Sequence, residues 1–78
     1  MEFYEIGELV KTARKEKKFT QSDLAKEVGI TRQTLSKLEK GLIDKVSLQL
    51  FIKILEALDK ELEVKDKKPF YYFDPESM

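Results

Sequence analysis

The segment from Thr20 to Gly41, TQSDLAKEVGITRQTLSKLEKG, constrains the fold more than any other part of the chain. Start and stop signals for two helices stand in it in close succession. Thr20 is placed as an N-cap, its hydroxyl accepting from a backbone N–H near Asp23. The Asp23 carboxylate can reach back and also complements the helix dipole. Leu24, Ala25 and Val28 recur at helical spacing. Gly29 follows where the chain must turn left-handed, a conformation that costs a residue without Cβ least. Ile30 pins the turn to the core, Thr31 caps the next helix, and Leu35 and Leu38 face inward. Ala25 is small and lets the second helix approach closely. The pattern predicts helices over about residues 21–28 and 31–40, with a row of hydrogen-bonding side chains left outside on the second.

The flanking chain supplies two more helices. Ile6, Leu9, Val10 and Ala13 mark one face of a helix over about 6–17, ending in a basic run that suits its C-terminal dipole. Phe19 closes toward the core. Gly41 ends the third helix, residues 42–46 form a loop, and Ser47 caps a fourth helix over about 48–60. There Leu48, Phe51, Ile52, Leu55 and Leu58 form one apolar stripe and Leu50, Ile54 and Ala57 a second. A helix apolar on two sides must be buried twice, once in its own domain and once against a second copy.

Glu61-Leu62-Glu63-Val64-Lys65 alternates as a half-buried strand does. A lone strand leaves backbone groups unpaired, so its simplest partner is the same strand of a second subunit, in an antiparallel ribbon across a two-fold axis. The alternative is an extension of the fourth helix. Leu50, Ile54, Leu58, Leu62 and Val64 are thus the expected dimer contacts. Residues 66–69 break any regular element, and Phe70-Tyr71-Tyr72-Phe73 follows. Either this aromatic run folds back onto the dimer or it docks into a partner protein. The expected division is a helical domain at 1–60 with its central motif at 20–41, a dimer-forming strand at 61–66 and a tail at 67–78.

Seventy-eight residues make one domain with a small core, which favours oligomerisation. The chain has no Cys and no His, which excludes thiol nucleophiles, disulfides and thiolate or imidazole metal sites and fits a reducing cytoplasm. No apolar run approaches membrane-span length, and the first five residues lack a secretory pattern. Without a glycine-rich phosphate loop or a histidine base, and with carboxylates scattered along solvated faces, neither an enzyme nor a cofactor or metal is expected. The formal charge is zero, but residues 9–45 hold ten basic and five acidic side chains. Attraction to phosphate depends on that local field and not on the total.

The run of TQ, then LA, then Gly, an apolar residue one short of a capping Thr, and L..LE.G resembles the helix-turn-helix of the lambda repressor and Cro type, the XRE family, over roughly residues 6–58. The resemblance implies an all-α, compact four- to five-helix domain whose third helix enters the major groove of double-stranded DNA. It implies that Arg32, Gln33 and Lys37, with Ser36 on the adjoining face, read base edges. Gln21, Thr31, Thr34 and Lys40 match positions at or near backbone phosphates. Arg and Lys suit guanine O6 and N7, and Gln suits adenine N6 and N7. Lys15 and Lys18 are expected to supply phosphate contacts or general attraction. Arg14 and Glu39 match a structural ion pair that sets the angle of the recognition helix.

The segment FIKILEALDKELEVKDKK is similar to the end of HipB-type antitoxins, in which the fourth helix leads directly into a strand paired between subunits. Two functions are therefore expected. One is a homodimeric transcriptional regulator, a repressor, reading a palindrome. The other is an antitoxin that binds and neutralises a toxin protein while repressing its own operon.

Overall fold

A computed structural model describes residues 2–44 and 46–67. Lys45 and the expected aromatic tail, Phe70 to Phe73, lie outside the described residues. Among the described residues four helices follow one another: α1 Phe3–Glu16, α2 Gln21–Val28, α3 Arg32–Glu39 and α4 Leu48–Ala57.

The caps fall where local chemistry puts them. The Thr20 hydroxyl accepts from the Asp23 amide at 3.0 Å, and the Thr20 amide donates to the Asp23 carboxylate at 2.9 Å. This reciprocal arrangement satisfies two backbone donors at once. It also holds the Asp23 carboxyl below its ordinary 3.8, first through the Thr20 amide and then through the Thr20 hydroxyl. Gly29 closes α2 at φ 80°, in the left-handed region, and its amide donates to Ala25 O. Thr31 Oγ1 accepts from the Thr34 amide at 3.1 Å and Ser47 Oγ from the Leu50 amide at 3.0 Å.

Val10 and Ala13 of α1, Leu24 and Ala25 of α2, Leu35 and Leu38 of α3, and Ile54 and Leu58 from α4 and its C-cap form one buried cluster. Phe19, Val28, Ile30 and Leu50 pack against it. α2 packs on both α3 and α4, and α1 packs on α3. The α1–α3 approach needs Gly7. A Cβ there would stand 2.5 Å from Glu39 O and 2.6 Å from Leu38 O, both backbone atoms, so any side chain would force the helices apart. The sequence pattern gave no sign of this contact.

Two helix boundaries and the segment after α4 differ from expectation. α1 starts at Phe3, about a turn early, with the Glu2 amide donating to Glu5 Oε1 at 3.4 Å. α4 ends at Ala57, because Asp59 takes a left-handed φ of 57° and turns the chain away. Asp59 also receives Lys17 Nζ at 2.8 Å, tying the end of α4 to the end of α1. Residues 60–67 form no regular element and are exposed. A ribbon made between two chains cannot appear in one, so the expected strand is neither formed nor replaced by helix.

The two-stripe reading of α4 is corrected. Ile54 is 0% exposed and Leu58 2%, and Leu50 packs against the core, so these three serve the chain's own interior rather than a dimer interface. Residues 51, 54, 55 and 58 are neighbours on a helix surface, and 50 and 57 flank them. The two supposed stripes are one broad face. The large apolar side chains that α4 leaves outside are Leu48 and Ile52.

Candidate nucleic-acid interface

A buried polar network sets the position of α3. Arg14 of α1 and Glu39 at the end of α3 are 7% and 5% exposed. Arg14 Nε donates to Glu39 Oε2 at 2.7 Å and Arg14 Nη2 to Oε1 at 3.2 Å, a forked pair of charge-assisted bonds. Arg14 Nη1 donates to Phe19 O at 2.7 Å, fastening the α1–α2 connection. Gln21, the first residue of α2, donates from Nε2 to Glu39 Oε1 at 3.1 Å. One carboxylate thus gathers three helices, and no buried side-chain polar atom among the described residues lacks a partner. Such a pair need not add net stability, but it fixes geometry, because either partner alone would be a stranded charge. The expected Arg14–Glu39 pair is present. The engagement of the Gln21 amide with Glu39 was not foreseen, since nothing in the local pattern links residues so far apart in sequence.

With Leu35, Leu38 and Glu39 inward, the remaining side chains of α3 point out. Arg32, Gln33 and Lys37 are exposed, as is Lys40 at the C-cap, while Ser36 and Thr34 are half-buried. Gln33 and Lys37 lie one turn apart on the same face. None of these cations takes part in an ion pair among the described residues, where the pairs are Arg14–Glu39, Lys17–Asp59 and Lys60–Glu16. Their donors are therefore free for an external acceptor. At the start of α3 the Thr31 and Thr34 hydroxyls share a hydrogen bond of 2.9 Å, which orients both beside the helix N-terminus. Lys15 and Lys18 are exposed near the end of α1, and Lys18 sits at a left-handed φ of 61°. Lys17, which neighbours them, is committed to Asp59 and lies 5.4 Å above the Phe19 ring.

A second surface has the opposite character. Between α1 and α4 runs an open groove of about 660 Å³, lined by Leu9 and Ala13, Phe51 and Leu55, and residues 60–62. Phe3, Tyr4, Leu48, Ile52 and Leu62 add exposed apolar area, and Val64 is 91% exposed. Nothing among the described residues covers it. No helix among the described residues is long and apolar enough to cross a membrane, and no cluster of carboxylates there could hold a metal ion.

Short capped helices, a left-handed glycine turn and an exposed polar face on the second of them define a helix-turn-helix domain. The family model described as "Helix-turn-helix" matches residues 10–65, and the chain belongs to this XRE-type helix-turn-helix family. It is 36% identical over 64 residues to antitoxin HipB of Escherichia coli O6:H1, covering 82% of this chain and 67% of that protein. It is 37% identical over 54 residues to the regulator SinR of Bacillus subtilis, covering 69% of this chain and 49% of SinR, so it spans about half of that relative. Among solved structures it is similar to a chain of the HipA–HipB–O2–O3 complex, with a TM-score of 0.74 and 32% identity over 87% of this chain and 94% of that one.

Proposed function

We propose that this chain is a sequence-specific DNA-binding transcriptional regulator that acts as a homodimer and represses by occupying a palindromic operator. The observation that carries the reading is the outer face of α3. Arg32, Gln33 and Lys37 stand exposed and unpaired among the described residues on a helix whose angle is fixed by the buried Arg14–Glu39–Gln21 network. Arg32, Gln33, Ser36 and Lys37 read base edges in the major groove. Thr31, Thr34 and Lys40, with the N-terminus of α2 at Gln21, position the domain on phosphates, and Lys15 and Lys18 add attraction. Two copies place their third helices one DNA turn, about 34 Å, apart. The domain works in the cytoplasm, without cofactor and without catalysis.

Selection of bound duplexes from random DNA tests this. The expected product is a palindrome with half-sites about one helical turn apart. Recovery of no sequence above background contradicts it.

A second reading is favoured by the uncovered apolar surface. The matches to HipB run on beyond α4, and the similar solved structure contains HipA and HipB together with O2 and O3. On this reading the protein also serves as an antitoxin, its dimer holding a toxin protein while repressing a shared operon. A toxin reading frame beside the gene, whose product co-purifies with this chain, supports it.

A further inference from the structure

We propose that the aromatic segment of each chain, residues 70–73, fills the α1–α4 groove of the other copy. This inference rests on the homodimer reading and on segment 61–66 pairing as a ribbon between the two copies, and it specifies how the dimer is closed.

The register of the ribbon follows from its side chains. In an antiparallel pair, residues directly opposite share a face. Leu62 and Val64 are the apolar residues of segment 61–66, and they meet only when Leu62 stands opposite Val64 of the partner subunit. That register also sets Lys65 opposite Glu61 of the partner subunit and Asp66 opposite Lys60 of the partner subunit, two opposite-charge pairs. Its cost is one like-charge meeting, Glu63 against Glu63 of the partner subunit, on the strand face away from Leu62 and Val64.

The register fixes where the chain goes next. Lys60, Glu61 and Leu62 line one end of the groove. Asp66 beside Lys60 of the partner subunit therefore delivers the following residues to the partner's groove. Residues 67–69 span at most about 10 Å when extended, so Phe70 is set down near the end of the groove that Lys60 of the partner subunit lines. Chemistry matches at both levels. The groove floor is apolar, from Leu9, Ala13, Phe51 and Leu55, and its volume of about 660 Å³ lies in the range that takes a drug-sized apolar ligand. The rim carries Glu5, Glu8, Glu16 and Glu61 against the single Lys60. The arriving segment leads with Lys67 and Lys68 and continues into Phe70-Tyr71-Tyr72-Phe73. No other stretch of the sequence sets basic residues beside four consecutive aromatics.

The test uses the full chain, a chain ending at Asp66, and a full-length variant with Phe70, Tyr71, Tyr72 and Phe73 all changed to Ser. Self-association is measured by sedimentation. Mixed isotope labelling separates contacts between chains from contacts within one. The expected result is a full-length dimer with cross-peaks between Tyr71 or Tyr72 rings of one copy and Leu9 or Leu55 methyls of the other. Both altered chains should associate at least about tenfold more weakly and lose those cross-peaks. Dimers of undiminished affinity with unmoved Leu9 and Leu55 signals overturn the proposal and leave the homodimer reading intact. Cross-peaks confined to a single chain overturn it in favour of docking in cis. A strictly monomeric full-length chain overturns the homodimer reading and the proposal with it.

Discussion

The outer face of α3 and the groove between α1 and α4 are both unfinished surfaces, but they are unfinished in opposite ways. On α3 the exposed side chains are donors, Arg32, Gln33 and Lys37, held on a helix whose position is set by a buried carboxylate bonded to two other helices. In the groove the exposed atoms are apolar, from Leu9 and Phe51, and the adjoining segment 60–67 is without regular structure. A polar face costs little to leave in water and waits for a partner with acceptors, such as a phosphate backbone and base edges. An apolar groove with an acidic rim is costly to leave in water and calls for protein. The difference teaches that orientation is provided before binding on one side, and that burial is provided by association on the other.

Breaking the orientation should have the largest effect. Arg14→Ala strands the buried Glu39, at a cost of about 3–5 kcal/mol in chemical denaturation, and with α3 no longer held, operator affinity falls as well. If operator binding survives in the folded fraction at unchanged affinity, the network does not set the angle of α3. Next comes the groove. Leu9→Lys places a charge on its floor and should weaken self-association by about 1.5–3 kcal/mol per groove, seen by sedimentation, while the preferred DNA sequence stays the same. A changed preference would show that the two surfaces are not separate.

Gln33→Ala sharpens the comparison from the other side. It should cost about 1–3 kcal/mol of discrimination between operator and unrelated DNA and leave self-association untouched. An equal loss on both duplexes would refute base reading. Smaller again is Thr31→Ala, which removes the cap of α3 and should lower stability by about 1 kcal/mol in thermal unfolding.

The smallest effect is set by pH. The Asp23 carboxyl is held below 3.8 by the Thr20 amide and hydroxyl, and the Asp59 carboxyl is held below 3.8 by its hydrogen bond from Lys17 and by that residue's charge. Because the folded values are depressed, the unfolded chain takes up these protons first. Their contribution is whole above the ordinary value and is lost as pH falls through 3.8 toward the folded values. A melting temperature followed from about pH 6 down to about pH 2 should decline in that lower window, and Asp23→Asn should make the decline shallower.

What the sequence revealed follows from range. Thr20, Gly29, Thr31 and Ser47 act on atoms three or four residues away, so their roles could be read directly, and α2 has the expected ends. The start of α1 could not, because Glu2 is not among the preferred caps, and Phe3, though spaced three residues before Ile6, is exposed and adds nothing to the buried face. The end of α4 depends on Asp59 meeting Lys17 across the fold, an exposed pair joining residues far apart in sequence. Gly7 is explained only by the backbone of Glu39 beside it. The assignment of Leu50, Ile54 and Leu58 to a dimer failed because a helix packed on a small domain presents one wide apolar face, and counting periods divided it in two. In the candidate site, the Arg14–Glu39 pair was legible through family resemblance, whereas the contact of Gln21 with Glu39 was not.

The central claim is that the outward edge of α3 meets DNA. Titrating a selected operator duplex into isotope-labelled protein, with amide and side-chain signals followed residue by residue, tests it most directly. The account predicts the largest shifts at Arg32, Gln33, Ser36 and Lys37, with Leu9, Ile52 and Leu62 unmoved. Shifts concentrated along the α1–α4 groove with α3 unmoved would contradict it.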